Sequence, residues 1–138
     1  TATDSPATNM DFFATCLELL GVEGPGDRHA VSLAGAHDNP HTVFRDSVGG
    51  HFNGFDRRGM YLQRMLHTGR YKYVFNPADF DEIYDLESDP YELHNIIDEA
   101  AMQSTRKELA GRLVAEMERT RDPHASHAAV LMGVTSTF

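Results

Sequence analysis

Two groups of neighbouring side chains in this sequence could bind a ligand. His51 and Asn53 lie in the glycine-rich segment Gly49–Gly54, which we predict to be a loop, and a polar loop beside aromatic residues suits substrate contact. Solvated residues that bind nothing would give the same pattern. Arg57 and Arg58 are adjacent, and a guanidinium can bind an oxyanion through two N–H groups, although a solvated pair is the common alternative. The sequence therefore predicts His51, Asn53 and Arg57 as candidate substrate-binding residues.

Catalytic and metal-binding residues are not evident. The single cysteine, Cys16, has apolar neighbours at helical spacing, which favours a small buried side chain over a reactive thiol. The 8 histidines include two close pairs, His37 with His41 and His124 with His127. Neither pair has an obvious third ligand, which a zinc or catalytic centre needs. We therefore predict no catalytic residue and no metal site within this chain.

The middle of the chain predicts antiparallel strands. Met60–His67 and Arg70–Asn76 flank Thr68-Gly69, a turn signal that predicts a β-hairpin. The second of these runs places its aromatic residues on one face, which is the two-residue period of a half-buried strand. Glu82–Leu86 predicts a third strand, and Thr42–Val48 predicts a short strand before the hairpin.

Two helices flank the predicted strands. Apolar residues recur at helical spacing before Gly21, a C-terminal stop signal, and again within about 99–121, where Asp122-Pro123 ends the pattern. These apolar positions are Met10, Phe13, Leu17 and Leu20 in the first helix and Leu109, Leu113 and Met117 in the second. A helical turn is also predicted to start at Asp89–Glu92, which has the sequence form of a capping box, and to stop near His94-Asn95. From His124 onward the chain is apolar without a clear period.

These elements predict an α+β fold. It has a small antiparallel sheet of about four strands, packed on one face by the C-terminal helix, with an N-terminal helix. The 138 residues, 41% hydrophobic and 24% charged, are ordinary for a globular protein. The net charge of -9 argues against nucleic acid or an anionic membrane surface as a partner. No apolar run approaches the roughly 20 residues that cross a bilayer, so we predict neither nucleic acid nor a membrane as partner.

The stretch Leu66–Ile97 resembles the C-terminal part of the sulfatases, the sulfuric ester hydrolases related in fold to alkaline phosphatase. Sulfatases of this type commonly carry R-T-G-R-Y-K-Y followed by E-L-Y-D-L-E-x-D-P-x-E-x-x-N-L. The matching residues here are Thr68 to Tyr73, Glu82 to Glu87, Asp89, Pro90, Glu92 and Asn95. Upstream, Asp11–Val22 is similar to the family helix D-l-x-P-T-L-L-D-L-A-G-V, with Ala14 where the family usually has proline. The resemblance covers Pro6 to about Asp122.

The resemblance implies the C-terminal subdomain of the alkaline-phosphatase-like sulfatase fold. Residues 1–40 would be a helix and loop linking to an N-terminal catalytic domain, 41–122 the sheet and C-terminal helix, and 123–138 a tail. In this family the nucleophile, formylglycine, comes from a Cys-x-Pro-x-Arg or Ser-x-Pro-x-Arg motif of the N-terminal half, which also supplies the calcium ligands. Cys16 has neither proline nor arginine at these offsets. We therefore expect no cofactor in this chain, calcium and formylglycine in the missing domain, and no activity of this chain alone.

The parent enzyme that the resemblance implies hydrolyses a sulfate ester of a sugar or another small molecule. In similar sulfatases a loop at the place of His51 approaches the mouth of the active site, so this chain would support the active-site domain and line the substrate entrance. The matching first helix packs into the catalytic domain. We therefore expect its apolar residues to be uncovered in this chain alone, where copies could self-associate. Two alternatives stay open: a stand-alone interaction module, and the tail of a phosphonate monoester or phosphodiester hydrolase on the same fold.

Overall fold

A computed structural model of the chain describes residues 5–24, 29–56 and 59–136, and it consists of two compact units. The first unit is Thr1–Val48 and the second is Gly49–Phe138. The division into 1–40, 41–122 and 123–138 refers to a longer protein and stays a prediction. Among the described residues, no helix is long and apolar enough to cross a membrane.

The first unit contains helix α1, Asn9–Leu19. The carboxylate of Asp11 accepts a hydrogen bond from the backbone N–H of Thr8 at 2.7 Å, which satisfies an amide at the start of the helix, as in a capping box. Gly21 ends the helix, as predicted. It has a φ of +65°, and its N–H donates to the carbonyl of Glu18 at 3.0 Å, which is the left-handed closure that favours glycine.

Helix α1 buries polar groups and exposes apolar ones. Asp11 is fully buried, and its carboxylate also accepts hydrogen bonds from the backbone N–H of Val31 at 2.8 Å and from Nη2 of Arg45 at 2.5 Å. By contrast, three residues of the predicted apolar stripe are exposed, namely Met10, Phe13 and Leu20. The expected uncovered surface is confirmed for these three, whereas Leu17 is half-buried. Self-association through this surface stays a prediction.

Four strands form one sheet, in the order β1-β2-β3-β4. They are β1 Ser47–Asp56, β2 Gly59–Thr68, β3 Tyr71–Phe75 and β4 Glu82–Asp85. The β2–β3 and β3–β4 pairs are antiparallel. At the hairpin turn, the hydroxyl of Thr68 accepts a hydrogen bond from the Tyr71 N–H at 3.0 Å. The predicted hairpin, the third strand and the α+β class are confirmed.

Two helices complete the second unit. Helix α2, Gln103–Arg119, packs on β2 and β3, and helix α3, Ala125–Met132, packs on α2. The core between them includes Leu66, Tyr73, Ile83, Leu109, Leu113 and Met117. The C-terminal helix predicted within about 99–121 is therefore confirmed, including its apolar face. Helix α3 was not predicted from the sequence.

Two predictions about the start of the sheet are wrong. The strand predicted at Thr42–Val48 begins only at Ser47, and the predicted loop Gly49–Gly54 is part of that strand. The glycines are compatible with a strand because another side chain approaches the backbone closely. A Cβ added at Gly49 would lie 2.8 Å from Cγ of Glu116, and glycine inside a strand often marks such an approach.

The predicted helical turn at Asp89–Glu92 is also wrong. The N–H of Glu92 donates to the carbonyl of Asp89 at 3.1 Å, but Glu92 has a φ of +56°, a left-handed conformation that cannot continue a right-handed helix. The Asp89 carboxylate accepts the N–H of His94 at 2.8 Å, and the Glu92 carboxylate lies 2.5 Å from Nζ of Lys72. Both carboxylates therefore have partners outside a capping box.

Candidate ligand-binding edge of the sheet

The site residues predicted from the sequence lie on strand β1, the first strand of the sheet. His51 and Asn53 are both exposed, and β1 is an edge strand next to β2. The structure therefore brings these two residues together, but on a strand instead of the predicted loop. Arg57 lies outside the described residues, so its role stays a prediction.

A buried arginine holds this edge. Arg64, on β2, is 4% exposed. Its Nη1 donates to Oδ1 of Asn53 at 2.9 Å and to the carbonyl of Gln63 at 2.8 Å. Its Nε and Nη2 donate to the two carboxylate oxygens of Asp122 at 2.5 and 3.3 Å. Because Asp122 follows helix α2, one side chain ties β1 to β2 and to the end of that helix.

Asp122 supplies the negative charge that this buried arginine needs. Burial alone would raise the pKa of Asp122, but hydrogen bonds from Arg64 and from the backbone N–H of His124, at 2.9 Å, outweigh it. The pKa of Asp122 is therefore lower than that of an ordinary aspartate. The carboxylate stays ionised at neutral pH, so the pair with Arg64 stays intact there.

A groove lies against the first three strands of the sheet. It has a volume of 330 Å³. It is lined by the apolar residues Phe52, Met65 and Val74 and by the polar residues His51, Gln63 and Lys72. Gly50 also lines it, and a Cβ added there would lie 3.0 Å from Cε of Met65. A ligand in this groove would meet an apolar wall with a few polar groups, which is the usual composition of a small-molecule site.

The lysine of the groove is already paired. Nζ of Lys72 lies 2.5 Å from Oε2 of Glu92, with side-chain exposures of 26% and 35%. An ion pair this accessible to water contributes little to stability. Lys72 could therefore exchange Glu92 for an anionic ligand at small cost.

The absence of catalytic residues in this chain stays a prediction. Within residues 5–24, 29–56 and 59–136, no group of three or more His, Cys, Asp or Glu side chains could hold a metal ion. Cys16, predicted to be buried, is half-buried on α1. The calcium and formylglycine that the resemblance implies therefore have no fitting residues in the described part of the chain, and no reaction step of this chain runs through them.

Asn95, in the second half of the sulfatase-like motif, has a structural role at the opposite edge of the sheet, beside β4. Oδ1 of Asn95 accepts the backbone N–H groups of Ile83 at 3.0 Å and of Ile97 at 3.1 Å, and its Nδ2 donates to the carbonyl of Asp81 at 3.1 Å. The N–H of Ile96 donates to the carbonyl of Ile83 at 3.0 Å. Residues 95–97 thus cover the outer side of β4, where an edge strand would otherwise leave polar groups unpaired.

The sequence analysis missed the pair of Arg64 and Asp122, although one signal was present. Arg64 lies two residues before Leu66 in a strand, so both side chains point to the same face. Leu66 belongs to the core, and an arginine on a core-facing position needs an acidic partner because an unpaired buried charge is costly. Asp122 was interpreted only as part of a helix stop.

Comparison with known proteins agrees with the motif. Residues 1–119 match the family model described as N-sulphoglucosamine sulphohydrolase, C-terminal. The chain is 28% identical over 120 residues to the N-acetylglucosamine-6-O-sulfatase of Bacteroides thetaiotaomicron, covering 83% of this chain and 22% of that protein. It is 26% identical over 132 residues to the uncharacterized sulfatase YidJ of Escherichia coli, covering 90% of this chain and 25% of that protein. The chain thus spans about a quarter of these two curated relatives.

Solved structures have the same arrangement of sheet and helices. The structure of BT4656 in complex with its substrate D-glucosamine-2-N,6-O-disulfate superposes with a TM-score of 0.71 at 27% identity, covering 81% of this chain and 24% of that one. The phosphonate monoester hydrolase of Agrobacterium radiobacter has a TM-score of 0.65 at 22% identity, covering 79% and 24%, which shows a shared fold alone. With the family match over residues 1–119, these comparisons confirm the C-terminal sulfatase region indicated by the motif, and the chain belongs to the N-sulphoglucosamine sulphohydrolase, C-terminal family.

Proposed function

We propose that the whole protein containing this chain is a sulfatase that hydrolyses sulfate esters, and that this chain supports its catalytic domain and lines the substrate entrance. The observation that carries the proposal is the match of residues 1–119 to a C-terminal sulphohydrolase family. The TM-score of 0.71 with the BT4656 complex supports it, because that protein has a sulfated sugar as its substrate and contains a segment of the same fold.

The proposal divides the chemistry between two parts of the protein. The N-terminal catalytic domain, the proposed partner of this segment, would hold formylglycine as nucleophile and calcium as the compensating charge. This chain would contribute binding groups from the β1 edge, namely the imidazole of His51 and the amide of Asn53, with Arg57 nearby in sequence. An exposed imidazole and amide can orient a polar ligand by hydrogen bonds.

A sulfated sugar is the first substrate to test. The relatives named above include a sulfatase of N-acetylglucosamine and a protein whose substrate is a disulfated glucosamine. The groove of this chain combines apolar residues such as Phe52 and Met65 with the polar Gln63 and Lys72. A sugar ring has apolar faces and polar edges, so such a lining suits it better than it suits a purely charged ligand.

Hydrolysis of a phosphonate monoester is the second candidate function. One observation favours it, the TM-score of 0.65 with a phosphonate monoester hydrolase. A shared fold does not determine the reaction, and at 22% identity the likeness extends no further. We therefore place it after sulfate ester hydrolysis.

The two functions can be separated by assay of the full-length gene product. We would measure turnover of an aryl sulfate, of 6-O-sulfated N-acetylglucosamine and of a phenyl phosphonate monoester. Preference for a sulfate ester is expected, and preference for the phosphonate would support the second candidate. No turnover of any ester would support the stand-alone interaction module.

The isolated 138-residue chain is the matched control in this assay. We expect it to show no turnover above background, because the nucleophile is proposed to lie in the other domain. Turnover by this chain, abolished by substitution of one of its own residues, would contradict the proposed division of roles.

A further inference from the structure

The side-chain amide of Asn53 is held in one orientation. An asparagine amide has one acceptor oxygen and two N–H donors, whereas arginine has donors only. Because Nη1 of Arg64 donates to Oδ1 of Asn53 at 2.9 Å, the oxygen must face Arg64. The Nδ2 group then points away from it, and among the described residues Nδ2 has no hydrogen-bond partner, while Asn53 itself is exposed.

Arg64 is well fixed for this task. It is 4% exposed, and its other hydrogen bonds go to Asp122 and to the Gln63 carbonyl at 2.5 to 3.3 Å. The planar guanidinium makes these bonds in a fixed fork, so it cannot turn without breaking several of them. The orientation of Asn53 is therefore set by the buried part of the fold.

The fixed donor lies where a ligand can reach it. Asn53 is exposed on the edge strand β1 and lies on the same face of the sheet as Arg64, whereas Met65 and Val74 of the groove lie on the other face. We propose that Arg64 is a positioning residue, which holds Asn53 with Nδ2 toward solvent so that the amide donates a hydrogen bond to an oxygen of the ester substrate. This inference rests on the proposed function, and Arg64 itself does not touch the substrate.

The sharpest test is Asn53→Asp in the full-length protein. Aspartate keeps an oxygen for Arg64, so the fold should be retained, but it replaces the outward N–H donors by an oxygen that repels a substrate oxygen. We expect KM for the sulfate ester to rise by roughly tenfold or more, with kcat within about twofold, because a ground-state binding contact is lost. A wild-type KM for Asn53→Asp would overturn the inference.

A double-mutant cycle separates positioning from a general structural role. Arg64→Lys keeps the charge beside Asp122 but loses the fork that fixes the amide, so we expect KM to rise roughly three- to tenfold. In an Asn53→Ala background the same change should alter KM by less than about twofold, because the group it positions is gone. Equal effects of Arg64→Lys in both backgrounds would overturn the inference.

Two controls make the outcomes distinct. Arg70→Lys changes an exposed arginine of the same sheet, paired with Asp85 at 2.8 Å, and should leave KM unchanged. If the wild-type protein turns over neither a sulfate nor a phosphonate ester, the proposed function falls, and this inference falls with it. If the wild type is active and the cycle is additive, the inference alone is overturned.

Discussion

The two edges of the sheet are held in different ways. At the β4 edge, the side chain of Asn95 accepts the N–H of Ile83, and the N–H of Ile96 donates to the Ile83 carbonyl. Both backbone groups of Ile83 are therefore hydrogen-bonded within the fold. At the β1 edge, the buried Arg64 reaches Asn53, and exposed side chains remain available. The second half of the family motif, which includes Asn95, lies at the closed edge, whereas the exposed His51 and Asn53 lie at the other edge.

This difference shows what a family motif of this kind identifies. Asn95 alone takes part in three hydrogen bonds, and Asp81 accepts the hydroxyl of Tyr73 at 2.9 Å. These contacts specify the scaffold. Binding residues are commonly carried by the variable parts of a rigid scaffold, so the ligand should be sought at the β1 edge and not around Asn95.

The largest effect that would test this comparison is expected from Asp122→Asn. The change leaves Arg64 buried without a full counter-charge, and breaking such a pair should lower the free energy of unfolding by about 2 to 4 kcal/mol. The matched control is Asp85→Asn, whose partner Arg70 is 51% exposed, for which we expect less than about 1 kcal/mol. Urea unfolding of both variants is the measurement. Equal losses would mean that the β1 edge does not depend on its buried pair.

A somewhat smaller loss is expected at the closed edge, from Asn95→Ala. The change removes the acceptor of two backbone N–H groups, those of Ile83 and Ile97, which are 0% and 7% exposed, and unsatisfied buried donors cost about 1 to 3 kcal/mol. Asn95→Asp keeps that acceptor and should lose less. Both variants can be compared by thermal unfolding. An unchanged Tm for Asn95→Ala would show that the β4 edge does not need this side chain.

The sequence was sufficient for the elements with a clear period. Alternation of aromatic residues around Tyr73 predicted β3 and its buried face, and the four-residue spacing from Leu109 to Met117 predicted helix α2. Helix α3 was missed because its buried positions are small: Ala125, Ala128 and Ala129 are buried, and alanine gives little contrast between an inner and an outer face.

The β1 edge could be predicted only in part. The sequence identified His51 and Asn53 as polar residues at a glycine-rich position, but the glycines predicted a loop. Whether glycine breaks a strand depends on residues distant in sequence, here Glu116 beside Gly49. The orientation of the Asn53 amide depends in the same way on Arg64, 11 positions further on, and local patterns do not contain it.

Glu92 offers a smaller test of the corrected turn near the closed edge. Its φ of +56° costs most residues about 1 to 2 kcal/mol, and glycine avoids this cost. We expect Glu92→Gly to be more stable than Glu92→Ala by about 1 kcal/mol. Both variants lose the pair with Lys72, so that loss cancels in the comparison. A helical turn would give the opposite order, since alanine favours a helix and glycine does not, and chemical denaturation distinguishes the two.

The smallest effect should appear in acid, again at the β1 edge. The pKa of Asp122 is lowered in the folded protein, whereas in the unfolded chain an aspartate titrates near pH 4, at about 3.9. The stability that this carboxylate contributes is therefore complete above about pH 4 and is lost as the pH falls through its lower folded-state pKa.

Asp85→Asn is the control for Asp122→Asn, because the pKa of Asp85 is also lowered, through its hydrogen bond with the exposed Arg70. Between pH 7 and pH 3 we expect Asp122→Asn to lose less stability than the wild type, by under about 1 kcal/mol because water still reaches the carboxylate. Identical pH profiles of stability for Asp122→Asn and the wild type would show that the Asp122 carboxylate has the same pKa in the folded and unfolded protein. Arg64 would then not stabilise the ionised form of Asp122.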